Sequence, residues 1–181
     1  MSLSTSKKEC SLCTAHPDLL AAIKFAYEPC GMICENFEKE AESEEYAASV
    51  FRMNDRRIKY RIGKVTPTKI GQFVTLWKRI GDSVILPHDL ADEVDLFIVS
   101  VRNIHHFGQF VFPKSVLFEK GVISKEGKGG KRAIRIYPPW ETTVSSLATK
   151  SQAWQVKYFF EISENGKVDS KKIKTLFMGE P

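Results

Sequence analysis

No run in this sequence approaches the roughly 20 consecutive apolar residues that a bilayer-spanning helix needs. Ser, Lys and Glu interrupt the amino terminus where a secretory leader would carry its apolar core. A cytoplasmic protein with reduced thiols is therefore expected. Cysteine is scarce: Cys10, Cys13, Cys30 and Cys34 are the four in the chain. Their CxxC and CxxxC spacings are ones that tetrahedral zinc accepts. Against zinc, the Gly31-Met-Ile insert lacks the polar residues of a zinc knuckle, and the Cys30–Cys34 spacing suits two buried thiols one helical turn apart. The chain also lacks a G-x-S-x-G nucleophile turn and a GxxxxGK[ST] phosphate loop. Internal repeats and low-complexity segments are missing as well. His105-His106 is a loop pair with no nucleophile context, so hydrolase chemistry has little to stand on.

One further absence is local. From Arg56 to Arg79 there are eight basic residues and no acidic one. The 181-residue chain carries a net charge of only +5, so the distribution of charge says more than its sum. Acidic residues gather in Glu35–Glu45 and again in Asp82–Asp95. A second basic stretch, Lys114–Arg135, has seven basic residues against Glu119 and Glu126. Such segregation lets a near-neutral protein present one positive face. It equally suits solvated strand edges protected by lysine.

The hydrophobic pattern predicts one domain over 17–181, after a disordered segment at 1–16. Asp18 is placed to cap a helix running to Glu28, ended by Pro29 and Gly31. A second helix is expected over 32–41, with Ile33 and Phe37 inward. The period then changes to two. Tyr46–Met53 and Arg57–Val65 flank an Asn54-Asp55 hairpin turn, and Gly71–Ile80 follows as a third strand. Asp95–Val101 is nearly all apolar and reads as a central strand, with Gln109–Phe112 next to it. A short helix over Pro113–Lys120, a flexible Gly127–Gly130 turn and a strand over Lys131–Tyr137 come next. Leu147, Ser151, Trp154, Tyr158 and Ile162 predict a long amphipathic helix over 145–161, and a last helix is expected at 169–177. The fold class is α+β, with a mixed, mainly antiparallel central sheet flanked by helices.

Several runs in the chain resemble the MepB family, a bacterial family of small proteins. They are Thr66-Pro-Thr-Lys-Ile-Gly-Gln72 leading into Phe73-Val-Thr-Leu-Trp-Lys-Arg79, Gly108-Gln-Phe-Val-Phe-Pro-Lys114, Gly130-Lys-Arg-Ala-Ile-Arg135, Tyr137-Pro-Pro-Trp140, and Gln152-Ala-Trp-Gln155 followed by Tyr158-Phe159. The resemblance extends over about residues 42–162. The resemblance implies a restriction-endonuclease-like fold of the PD-(D/E)XK type and contact with nucleic acid. One member accompanies a multidrug efflux pump and its repressor, which would suit an accessory protein.

Nucleic-acid binding is the leading expectation, with DNA and RNA both open. Cationic side chains would contact phosphates, and the candidates are Arg61, Lys64, Lys69, Lys78, Arg79, Lys114, Lys131, Arg132 and Arg135. Lys59 and Arg61 lie opposite Tyr60 on their strand and form a cationic row. Gln72 and Gln109 are candidates for base edges. Tyr60, Phe73 and Trp77 are read first as core residues and second as stacking platforms.

The fold implied by the resemblance also raises a Mg²⁺-dependent nuclease, which needs carboxylates on the metal and a lysine at the attack. Asp95 would hold the metal, Gln109 would head the next strand, Lys64 would migrate into the lysine role, and Glu44 would add a carboxylate. Val111 stands where the motif lysine belongs, so efficient cleavage is not expected. A third reading is a small-ligand or protein-interaction module, with Trp77, Trp140 and Trp154 lining a pocket and Lys125–Arg132 wrapping a phosphate.

Overall fold

The computed structural model describes residues 12–81, 84–163 and 165–179. Its first helix, α1 (Pro17–Ala22), is opened by His16 rather than Asp18, because His16 Nδ1 accepts from the Asp18 amide at 3.2 Å. The helix continues through a π turn, Ile23–Tyr27, and a 3-10 turn, Glu28–Cys30, and stops at Gly31. Of the expected apolar face, Leu19, Ile23, Ala26 and Tyr27 are buried, but Leu20 is 36% exposed and Ala22 takes its place. Ala15 is also buried, so the end of the segment expected to be disordered belongs to the fold. Residues 1–11, and Cys10 with them, lie outside the described residues.

The expected second helix is a strand, β1 (Cys34–Lys39). It pairs antiparallel with β2 (Ser49–Met53), and a bulge between Glu35 and Glu38 interrupts the register. Asn36 within it has φ 53°, a conformation no helix interior holds. Ile33 is 70% exposed, so the inward pair that suggested a helix does not exist. Asn54 and Asp55 both have positive φ, as a type I′ turn requires. They fold β3 (Arg56–Ile62) back on β2.

The expected strand at Gly71–Ile80 divides at Leu76. β4 (Lys64–Thr66) and β5 (Lys69–Thr75) form a hairpin, while β6 (Trp77–Ile80) and β7 (Val84–Pro87) make a separate ribbon. β8 (Leu96–Arg102) is central, as its apolar run predicts. It lies parallel to β3 and antiparallel to β9 (Phe107–Pro113). α2 (Lys114–Glu119) and β10 (Ala133–Ile136) follow as read.

The long helix expected over 145–161 ends early. α3 (Ser146–Gln155) is capped by Ser145, whose Oγ accepts from the Ala148 amide at 3.1 Å. After a short turn the chain becomes β11 (Phe159–Glu161), paired with β9. Phe159 enters one hydrophobic core and Phe160 the other, an alternation that only a strand provides. α4 (Ser170–Met178) closes the fold with Asp169 at its amino end.

The main sheet runs β1-β2-β3-β8-β9-β11, and a small sheet runs β10-β5-β4. Ile58, Tyr60, Leu96, Ile98 and Val111 face the helical layer with Tyr27, Ile173 and Phe177. Phe97, Val99, Phe110 and Phe112 face the small sheet and meet Val74, Ile134 and Ile136. The order is helices, main sheet, small sheet. Gly71 permits the close approach of β5 to β10, because a Cβ there would lie 2.6 Å from the Ile136 carbonyl oxygen.

Candidate nucleic-acid interface

The cationic row expected on β3 exists but is not on the surface. Lys59 and Arg61 do point away from Tyr60, yet that side of the strand faces the small sheet. Arg61 is 1% exposed. Its Nη1 donates to Glu40 Oε2 at 2.6 Å and to the Tyr60 carbonyl at 2.8 Å. Lys59 donates to the other Glu40 oxygen. Burial alone would raise the Glu40 carboxyl, but the charges of Arg61 and Lys59 hold it below its ordinary value. Two more nominated cations are also neutralised by carboxylates. Lys78 pairs with Asp92, and Arg79 Nε donates to Glu42 Oε1 at 2.7 Å while its guanidinium lies over Trp77. Lys114 Nζ is spent on the carbonyls of Leu90 (2.8 Å) and Asp92 (2.7 Å).

The glutamines do not reach outward. Gln72 is buried and donates to the Arg102 carbonyl at 3.0 Å, tying the small sheet to β8. Gln109 is fully buried between the Tyr27 hydroxyl and Ser100 Oγ. The nuclease set does not come together. Asp95 accepts from the Arg57 amide at 2.7 Å, as a residue at the start of a strand does. Gln109 pairs with Ser100, five positions further along β8, or about 16 Å at strand spacing. Lys64 is on the small sheet, and Glu44 begins a 3-10 turn outside both sheets. These residues do not fit a shared Mg²⁺. No group of three or more His, Cys, Asp or Glu side chains able to hold a metal forms among the described residues. Cys34, one of the candidate zinc ligands, has its thiol pushed up to about 12 by burial, with Glu28 adding to the shift.

The remaining nominated cations all belong to one element group. Lys64 is on β4, Lys69 opens β5, Lys131 and Arg132 lead into β10, and Arg135 is within it. Among the described residues none of these has a carboxylate partner. Lys64 and Arg135 stand on either side of Phe73 in cross-strand register. Lys64 Nζ lies 4.7 Å from the Tyr46 ring centre, and the Arg135 guanidinium lies 5.8 Å from that of Phe73. The two rings are 6.3 Å apart. Arg135 Nη1 also donates to Thr66 Oγ1 at 3.1 Å and to the Gly71 carbonyl at 3.0 Å, which orients it. Phe73 and Tyr46 are half-buried. The outer face of the small sheet is thus cationic and aromatic at once, and Tyr46 had no signal in the sequence to mark it.

A cleft runs beside this face. Gln155 is buried and stands in for a missing strand, accepting from the Tyr137 amide at 2.8 Å and donating to the Arg135 carbonyl at 3.1 Å. It fixes α3 along the free edge of β10. Two depressions follow that junction, of about 410 Å³ and about 240 Å³. Both are lined by Arg135 and Tyr137, and neither has a carboxylate among its lining residues.

The other expected features are structural. The glycine turn of Lys125–Arg132 is held by Asp89, which accepts from the Gly127 amide at 3.0 Å and from Ser124 Oγ at 2.7 Å. The Ala91 amide, followed by these two bonds, holds the Asp89 carboxyl down at about 2. The Gly127 amide is therefore not free for a phosphate. His88 is buried with Nδ1 3.2 Å from Asp92 Oδ2, and burial together with the Lys59 charge pushes it down to about 4. The three tryptophans share no pocket: Trp140 stacks on His106 at 5.0 Å, Trp154 packs on Phe112, and Trp77 belongs to the β6–β7 ribbon. No helix among the described residues is long and apolar enough to cross a membrane.

A mixed α+β protein with a small outer sheet that carries cations without carboxylate partners among the described residues is the class this geometry defines. The chain belongs to the MepB-like family: the family's model matches residues 40–161. A crystal structure of MepB aligns with a TM-score of 0.70 at 28% identity, covering 81% of this chain and 97% of that one. No curated protein matches the chain.

Proposed function

We propose that this protein binds nucleic acid through the outer face of its small sheet, without efficient cleavage. One observation carries the reading. Carboxylates take Arg61, Lys78 and Arg79 from the candidate cations and two carbonyls hold the Lys114 ammonium; the candidates left belong to the β10-β5-β4 unit or the residues leading into it, Arg135 being oriented by the Gly71 carbonyl but without a carboxylate partner among the described residues. Lysine and arginine without anionic partners release counterions when phosphates take their place. The Phe73 and Tyr46 rings between them add surface for a base. In this reading the six-stranded sheet, with its parallel β3–β8 pair, is a restriction-endonuclease-like scaffold that has kept binding and lost the metal-holding carboxylates.

Fluorescence anisotropy with a labelled oligonucleotide across a salt series tests the proposal. Affinity should fall steeply with salt. Lys64→Ala with Arg135→Ala should flatten the slope of log K against log salt by about 1.4 to 1.8. Affinity that is independent of salt, or unchanged in the double variant, would sink it.

A further inference from the structure

We infer that the cavity at the end of the β1–β2 pair binds a small zwitterion, an apolar α-amino acid, with Glu44 at its ammonium and Lys39 and His16 at its carboxylate. The cavity holds about 290 Å³, near the lower bound of small-molecule sites. It lies between the residues that lead into α1 and the loop that joins β1 to β2. None of the nominated cations lines it, so the inference stands apart from the nucleic-acid reading. The loop is held in an unusual form. Ser43 and Ala47 have φ of 58° and 53°, a left-handed conformation that residues other than glycine resist. The fold keeps it there with bonds from several sides. The Ala48 amide donates to the Ser43 carbonyl at 3.4 Å, the Glu40 amide to the Ala48 carbonyl at 2.8 Å, and the Thr75 hydroxyl of β5 to Ser43 Oγ at 3.0 Å. One wall of the cavity is thus fixed before a ligand arrives, which lowers the ordering cost of binding.

The walls divide by chemistry. Phe37, Ala15 and Ala48 are buried and supply apolar surface. Charges of both signs stand at the rim: Lys39 and Glu44 are exposed, line the same cavity and have no ion-pair partner among the described residues. His16 Nδ1 accepts from the Asp18 amide at 3.2 Å, so the neutral ring carries its proton on Nε2 and can donate there. Glu40 also borders the cavity, but Lys59 and Arg61 occupy its two oxygens, and its charge is already matched. A ligand suited to this set offers an anionic group to Lys39 and His16, a cationic one to Glu44, and a short apolar body beside them. An α-amino acid with an aliphatic side chain has that form. A carboxylic acid or an alkylamine of the same size leaves one charge of the site unanswered.

Calorimetric titration of the full chain with L-leucine, isocaproate and isoamylamine is the test, since the acid lacks the ammonium and the amine lacks the carboxylate. Leucine should bind, and each analogue should bind about tenfold more weakly. Glu44→Gln should weaken leucine about tenfold and leave isocaproate unchanged. Lys39→Met should weaken leucine by a similar factor and leave isoamylamine unchanged. Both side chains are exposed, so neither substitution disturbs the core. Absence of leucine binding at millimolar concentration would overturn the inference. Analogues that bind as tightly as leucine would overturn it too, as would either variant binding leucine like the wild type. Any of these results leaves the outer face of the small sheet as it was, because oligonucleotide affinity is measured separately.

Discussion

Arg61 and Glu40 meet at 2.6 Å in the space between the two sheets, with the arginine 1% exposed. The same carboxylate also holds Lys59. The most basic segment of the chain thus loses two of its cations to a residue about twenty positions upstream. Removing the anion leaves both charges without a partner in a poorly solvated site. Glu40→Gln should cost about 3 kcal/mol in urea unfolding. Arg61→Met should cost less, because Lys59 continues to satisfy Glu40. Equal losses would show that the pair does not act as one unit.

Acid should destabilise the protein in two stages. His88 folds with its pKa pushed from 6.5 down to about 4, so the unfolded chain takes up a proton that the folded one refuses. Its contribution is complete above pH 6.5 and is lost as pH falls from there to about 4, a change of about 3 kcal/mol. Glu40, Asp92 and Asp89 are depressed as carboxylates. Their contributions are present above the ordinary carboxylate range and disappear as pH drops through their lower folded values. Denaturation midpoints of wild type and His88→Asn at several pH values separate the stages. The variant should lose most of the upper slope and keep the lower one.

Asp89 organises the glycine turn from outside it, through the Gly127 amide and Ser124. Asp89→Ala should free that segment without unfolding the sheets. Faster amide exchange at Gly127, and new tryptic cleavage after Lys125 and Lys128 in an otherwise intact domain, are the expected readouts. Exchange as slow as in wild type would show that backbone bonds alone hold the turn.

Gln155 supplies the two hydrogen bonds that a neighbouring strand would give β10. Gln155→Ala should leave a half-buried amide and a half-buried carbonyl without their partner, at about 1 kcal/mol. Binding should weaken further than stability predicts, because α3 forms one wall of the cleft. A variant with normal oligonucleotide affinity would separate α3 from the site.

Much of this architecture could be read from the residues. The Asn54-Asp55 turn, the central apolar strand at β8, the short helix after Pro113 and the last helix all follow from local pattern. Two helices did not. Trp154 and Tyr158 keep helical spacing, but Phe159 and Phe160 alternate into opposite cores. Phe37 is buried in a strand whose other residues are mostly outward. The site was half legible for a similar reason. Period-two alternation correctly set Lys59 and Arg61 against Tyr60, but it cannot tell that a second sheet covers the far side. Nor can spacing along the chain announce that Glu40, Glu42 and Asp92 return to the cations they neutralise, since those contacts exist only after the sheets have formed.

The bulge at Asn36 has a consequence for life in a crowded solution. β1 is the outermost strand of the main sheet, and a flat border of that kind invites another copy to extend it. A left-handed residue between Glu35 and Glu38 breaks the even ladder that a newcomer would need, and two glutamates repel it. The protein can therefore keep a broad sheet at high concentration without polymerising along that side.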